Sequence, residues 1–209
     1  MDPWILLGFA FLLGSLPFGF WVGKSRGIDI RQHGSGNIGS TNVSRVLGKK
    51  WGFLVFGLDF LKGWGAVFLM KKYAVLADPT MIHVWSVGAA LLVIMGHNYT
   101  PWLGFKGGKG IASSAGVLLA LMPWALLVGV VTWVLLMKLT KTVSIASLAA
   151  CVVVPSATWF LYPGEKALFF FAFLAGAMGI WRHRSNIRRL IAGEEFSFKK
   201  ESSKTGPTP

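Results

Sequence analysis

The chain has 209 residues, 54% of them hydrophobic and only 14% charged, with a formal net charge of +13. A soluble domain carries about a quarter charged residues, so this composition excludes an ordinary water-soluble globule and points to a membrane protein. Charge alone does not separate nucleic acid, anionic lipid and small phosphorylated ligands as partners. One cysteine excludes an internal disulfide, and Cys151, in the apolar string CVVV, reads as packing.

Apolar runs cover residues 4–22, 52–70, 81–96, 112–137, 143–162 and 167–181. The first follows Asp2 with no Lys or Arg, and no small-residue cleavage site comes after it. It is therefore expected to stay in the mature protein as a span. The loop behind it reads GIDIRQHGSGNIGSTNVSRVLGKKWG. It sets Ser35, Asn37, Ser40, Thr41 and Asn42 among Gly34, Gly36 and Gly39, with Arg31 and Arg45 flanking. Glycines allow positive φ and let backbone N–H groups converge on an anion, while hydroxyls and amides add donors. Arg45 can close such a nest with a bidentate contact to phosphate. A flexible polar linker is the plainer alternative, yet linkers seldom interleave arginine and asparagine with glycine so densely. The same glycines match G-x-G-x-x-G, with Asp59 where a ribose-binding acid would fall. That fingerprint needs a strand before it and a parallel sheet; two membrane spans flank it here.

Within the second run Asp59 and Lys62 stand three apart and can meet on one helix face. Ionisable groups inside a span are functional candidates, and a mutually neutralising packing pair is the equal alternative. The next loop reads GHNYTPWLGFKGGKGIASSAG. Gly107, Gly108 and Gly110 surround Lys109 at the start of a helix, whose N-terminus adds free donors and partial positive charge. His97, ending the preceding run, is either a direct ligand or an interfacial histidine bonded to a carbonyl.

Residues 112–137 as one helix would be about 40 Å long, more than the hydrocarbon core requires. Pro123 lies near the middle, where it removes a hydrogen bond and introduces a clash. Two short helices meeting near Leu121–Pro123 would give seven spans. With the N-terminus outside, seven spans put the loop 24–50, Lys106, Lys109, Lys138, Lys141 and the basic C-terminus in the cytoplasm. Lys71, Lys72 and Lys166 stay outside with Asp2, Asp78 and Glu165, an arrangement the positive-inside bias prefers strongly over six. Ser144, after the KLTKT turn, reaches the cytoplasmic face. So does the cluster Arg182, His183, Arg184, Asn186, Arg188 and Arg189, which standing alone would read as a stop-transfer cap. One membrane domain, 1–192, is expected, followed by a polar, disordered cytoplasmic tail, 193–209.

The eight acidic residues are scattered and form no Mg²⁺-binding cluster. No G-x-S-x-G elbow or Cys–His pair points to a covalent intermediate, and the H-x-x-x-x-D pair of CoA-dependent acyltransferases is absent. A transporter for a phosphorylated solute and a nonenzymatic anionic-lipid-binding protein are the readings from other classes.

The segments GSGNIGSTNVSRVLG, LDFLKG, GHNYTPWLGFKGGKGIAS and RHRSNIRRL, in this order, resemble the bacterial membrane glycerol-3-phosphate acyltransferases that use acyl phosphate, the PlsY type. The likeness runs from Gly14 to about Leu190. It implies an all-α polytopic enzyme of the bacterial cytoplasmic (inner) membrane, with seven transmembrane helices, two of them short, and its active site on the cytoplasmic face. It also implies transfer of a fatty acyl group from acyl phosphate to the 1-hydroxyl of glycerol 3-phosphate, giving lysophosphatidic acid without a cofactor or metal. By this resemblance Ser35, Arg45, Lys109 and His183 are catalytic. Gly36, Asn37, Gly39, Thr41, Asn42, His97, Gly107, Gly108, Gly110, Ser144 and Asn186 bind substrate. A phosphate oxygen of the donor, rather than His183, is expected to take the hydroxyl proton. Membrane lipids and a soluble acyl-phosphate-producing enzyme are the implied partners, with no nucleic acid.

Overall fold

The computed structural model describes residues 2–74 and 81–197, so Asp78 and the tail from 198 onward lie outside the described residues. Among the described residues every regular element is helical. Helix α1 (Pro3–Ser15) opens with Asp2 accepting the Trp4 N–H at 2.9 Å and with proline at N1, where its missing N–H is no loss. Pro17 interrupts the run, and α2 (Phe18–Ser25) resumes it. The interruption leaves the Leu16 carbonyl without a helical partner; the Lys62 ammonium donates to it at 3.0 Å.

The loop that follows is a folded unit rather than a linker. It makes a 3-10 turn at Ile30–Gln32 and leads into the short helix α3 (Ser40–Leu47). Ile30, Ile38 and Val43 are buried with Val55 of α4 (Lys49–Ala74) in a small apolar cluster of their own. α5 (Ile82–Asn98) returns, and a glycine-rich loop leads to α6 (Ile111–Leu121). The long fourth run breaks at Met122, and Pro123 sits at the first position of α7 (Pro123–Thr140), where proline is preorganised for a helix. Of the two helices expected there only α6 is short; the 18 residues of α7 cover about 27 Å. α8 (Val143–Leu161), α9 (Lys166–Arg182) and the amphipathic α10 (Arg184–Ile191) complete the chain.

Among the described residues four segments are long and apolar enough to cross a membrane: Pro3–Ser25, Lys49–Tyr73, Pro123–Thr140 and Val143–Leu161. The 17-residue helices α5 and α9 and the 11-residue α6 fall below that length. The main core joins α1, α4, α5, α6 and α9 through Ala10, Val67, Met70, Val93, Ile94, Val117 and Phe171. Lipid tails are as apolar as these side chains, so close packing rather than hydrophobic burial must hold the helices together. Small residues supply it. A Cβ on Gly116 of α6 would stand 2.0 Å from the Phe60 carbonyl oxygen of α4, and one on Gly63 of α4 would stand 2.1 Å from the Ser113 carbonyl oxygen of α6. α7 stands apart, packed chiefly on α8, with Val130, Val131 and Leu135 exposed.

Gly116→Val should push α4 from α6 and lower stability by about 2 kcal/mol or more. Thermal unfolding in detergent measures this, with Gly57→Ala as the control, since nothing lies within 4 Å of a Cβ at Gly57. Equal midpoints for the two variants would contradict close packing as the source of the α4–α6 contact.

Candidate active site

The first glycine loop is built around Asn42, a buried residue in the first turn of α3. Its Oδ1 accepts the Ser35 N–H at 2.8 Å, and its Nδ2 donates to the Ile30, His33 and Asn37 carbonyls at 3.2, 3.0 and 2.9 Å. Its amide is spent on the loop, so Asn42, which also lines the cavity, acts as a staple for it. Gly34 and Gly36 have φ of +59° and +69°, and a Cβ on Gly34 would strike Asn42 Oδ1, so glycine is required there. Asn37 Oδ1 accepts the Gly39 N–H at 2.8 Å, which sets the entry to α3. Ser40 and Thr41, in its first turn, then line a cavity alongside Ser35, Asn37, Gly39 and Arg45. Arg31 instead pairs with Asp29 at 2.7 Å; the guanidinium holds that carboxyl far below the usual carboxylate range.

The second loop is clamped from two sides. Its Gly107 and Gly108 N–H groups donate to the Asn98 and His97 carbonyls at 3.1 and 3.0 Å. Arg182, at the end of α9, donates to the Gly108 carbonyl through Nε at 3.0 Å and to the Gly107 carbonyl through Nη2 at 2.8 Å. Both amides expected to cradle phosphate are therefore engaged within the loop. These two glycines serve close approach instead: a Cβ on Gly108 would land 2.0 Å from His97 Nε2. Beneath them, Asp59 Oδ1 stands 2.8 Å from Lys62 Nζ and 3.4 Å from His97 Nδ1, all three side chains buried. This histidine–carboxylate pair joins α4 to α5 and leaves no trace in sequence spacing. His97 thus supports the loop from below.

What the clamp presents is Lys109. Its ammonium donates to Asn186 Oδ1. Burial above all, with Arg189, Arg182 and Arg45 acting against the pull of Glu195, brings its pKa down to about 8. Gly110, with φ of +82°, turns the chain into α6, whose first residues Ile111 and Ala112 also line the cavity. Ser144, in the first turn of α8, is buried at the wall with its hydroxyl unpartnered among the described residues. His183 Nδ1 lies 2.7 Å from the Gly179 carbonyl, which assigns the ring proton to Nδ1 in the neutral tautomer. Burial, and next the Lys109 charge, push its pKa down to about 4.

Two residues singled out in the sequence without an assigned role acquire one here: Arg182 clamps the second loop, and Asp59 lines the cavity. The contributor that composition hides is the segment after residue 193, expected to be disordered. Glu195 accepts from Asn186 Nδ2 at 2.7 Å and from Arg189 Nε at 2.8 Å, and the Arg45 guanidinium lies 4.4 Å from the Phe196 ring centre. Glu195 and Phe196, beyond the domain limit expected at 192, line the cavity as well.

The cavity these residues enclose has a volume of about 790 Å³. Its far part is an apolar lane between α6, α7, α8 and α9, lined by residues such as Leu118, Val130, Cys151, Val154 and Ala172. A second hollow of about 320 Å³, lined by Asn37, Lys109, Arg182, Arg184, Ser185 and Arg188, adjoins it at Lys109.

Apolar helices around a cation-rich chamber that opens into a hydrocarbon-like lane define a multi-pass membrane protein. Residues 4–193 match the family described as glycerol-3-phosphate acyltransferase, and the chain belongs to that family. Among its relatives, the glycerol-3-phosphate acyltransferase of Aquifex aeolicus (strain VF5) is 41% identical, over 95% of this chain and 100% of that one. That of Desulforamulus reducens is 42% identical, over 95% of this chain and 96% of that one. A crystal structure of PlsY, an integral membrane glycerol 3-phosphate acyltransferase, in its glycerol 3-phosphate form superposes with a TM-score of 0.88 at 38% identity, covering 98% of this chain and 99% of that one. Its lysophosphatidic acid form gives 0.83 at 39% identity, covering 94% and 95%.

Asn42→Ala removes the donor to the Asn37 carbonyl and the acceptor for the Ser35 N–H, and takes a second donor from the Ile30 and His33 carbonyls. It should lower stability by about 1–3 kcal/mol and speed hydrogen exchange over residues 33–37 in the unliganded protein. A side chain that served only as a ligand contact would leave unliganded exchange unchanged.

Proposed function

We propose that this protein transfers a fatty acyl group from acyl phosphate to the 1-hydroxyl of sn-glycerol 3-phosphate, releasing lysophosphatidic acid and inorganic phosphate. The observation that carries the reading is the continuity of one cavity, from the cationic chamber at Arg45, Lys109 and His183 to the apolar lane. Such a cavity suits a reaction whose two substrates carry phosphate and one of which carries a hydrocarbon tail. Relatives named for this acceptor, and neighbours in glycerol 3-phosphate and lysophosphatidic acid forms, support it.

The acceptor's C1 oxygen attacks the acyl carbonyl carbon, the bond from that carbon to the phosphate oxygen breaks, and phosphate departs with the electron pair. The hydroxyl proton passes to a phosphate oxygen of the donor, so no covalent enzyme intermediate forms. Lys109 stabilises the departing phosphate, and Arg45, with Ser35 and Thr41, holds phosphate and hydroxyl oxygens. Ser144, neutral His183 and Asn186 orient the acceptor. His183 is a hydrogen-bonding orienter rather than the base, because its proton affinity is depressed to about 4.

Seven crossings, with the N-terminus outside, bring the chamber to the cytoplasmic face of a bacterial inner membrane, in keeping with the positive-inside bias. α6 and α7 count as separate crossings in this topology. The donor's tail enters from the bilayer between α4 and α7, and a soluble enzyme that makes acyl phosphate delivers donor to the same face.

Turnover by the purified protein in lipid tests the reading. Labelled glycerol 3-phosphate should yield lysophosphatidic acid with palmitoyl phosphate and not with palmitoyl-CoA; no product from either donor would sink the proposal. Arg45→Ala and Lys109→Ala should each cost about a hundredfold or more in kcat/KM, and His183→Ala less. Full loss on His183→Ala with binding intact would restore a conventional base.

Lys109 is charged below its pKa of about 8 and neutral above it. kcat/KM, which reports the free enzyme, should therefore fall as pH rises through about 8. In Lys109→Arg, whatever activity survives should lack that alkaline limb, since guanidinium keeps its charge.

A further inference from the structure

The apolar lane is not uniform around its wall. Phe53 and Val130, on α4 and α7, are 74% and 46% exposed, whereas Val154 and Phe171, on α8 and α9, are 8% and 0%. Val130 adjoins Gly129, where a Cβ would stand 2.7 Å from Val154, so the lane opens sideways along its α4 and α7 side. At the end away from the chamber it is closed. Leu118 and Leu126 come from the two helices that meet at Met122, and Ala172 and Phe171 from the early turns of α9. Behind them Met122 and Thr158 are both fully buried, with the Thr158 hydroxyl 3.7 Å from the Met122 sulfur.

The depth of the lane follows from helix geometry. His183 at the chamber and Phe171 at the closed end are 12 residues apart, which is about 18 Å along a helix. Ser144 and Pro155 on α8 give about 16 Å. One leaflet of a hydrocarbon core about 30 Å thick is about 15 Å deep, the reach of one extended membrane acyl chain. Partway along the lane α8 and α9 are in direct backbone contact, which fixes their separation: a Cβ on Gly176 would stand 2.4 Å from the Cys151 carbonyl oxygen. That carbonyl is the one Pro155, four residues on, cannot bond.

We infer that the closed end of this lane, formed by Leu118, Leu126, Val154, Phe171 and Ala172, is a gauge that sets the longest acyl chain the protein transfers efficiently. The inference rests on the acyltransferase reading and deepens it. The gauge works by steric refusal. Bilayer and lane are equally apolar, so moving methylenes from one to the other gains little, whereas a chain too long for the lane must bend or overpack its end.

The test compares kcat/KM for octanoyl, palmitoyl and arachidoyl phosphate in the parent, Ala172→Phe and Leu126→Ala, each in the same lipid. Filling the closed end with Ala172→Phe should lower the palmitoyl-to-octanoyl ratio by about tenfold or more. Deepening it with Leu126→Ala should raise the arachidoyl-to-palmitoyl ratio. Should A172F fail to fold, L126A decides alone. Variants that turn over donor with the parent's chain profile overturn the gauge and leave the acyltransferase reading standing. A parent that makes no product from any of the three overturns both.

Discussion

The polar end of this protein depends on how the Gly107–Gly108 peptide segment is gripped. Its N–H groups are bonded downward to the last carbonyls of α5, and its carbonyls upward to one guanidinium at the end of α9. A short glycine segment left alone would sample many conformations, and Lys109 would sweep a wide volume. Gripped on both sides, it delivers an ammonium to one place beside Asn186. The underside of the grip is the buried Lys62–Asp59–His97 array, whose lysine also donates to the Leu16 carbonyl at the break in the first span. A break in the first helix pair, a charge pair in the fourth helix and the position of Lys109 are thus one mechanical assembly.

Gathering like charges is the other demand on the site. Arg45, Arg182 and Arg189 all act on Lys109, and the acid that offsets them is Glu195. Mutual repulsion and burial leave the lysine less firmly protonated than an exposed one, so the unliganded chamber is poised for an anion. A phosphate entering it relieves repulsion that the fold itself maintains, and that differential makes a cationic chamber selective as well as attractive.

Much of the architecture was legible in the chain. The apolar runs mapped onto helices, and Pro123 marked the division of the fourth run because a proline's tolerance is settled locally, at the first turn. Ser35, Thr41, Arg45, Lys109, Ser144, His183 and Asn186 do line one cavity. What sequence reasoning did not give was which polar groups are already engaged. Gly107 and Gly108 carry the residue types of a phosphate nest, yet their N–H groups are bonded to the end of α5, and Asn42 lines the cavity while its amide holds the first loop together. Pairings between distant segments, such as His97 with Asp59 or Arg182 with the glycine carbonyls, have no spacing rule that could announce them. The residues after 193 look like a solvated tail by composition. Only the folded chain brings Glu195 to Asn186 and Arg189.

α7 leans on α8 and turns most of its surface outward, while its inner face walls the lane. A helix with so little protein behind it is held in place partly by the surrounding lipid. Lateral pressure and membrane thickness therefore belong to the boundary of this cavity as much as any side chain does. Kinetic constants obtained in micelles describe a chamber with a different wall from the one the cell assembles.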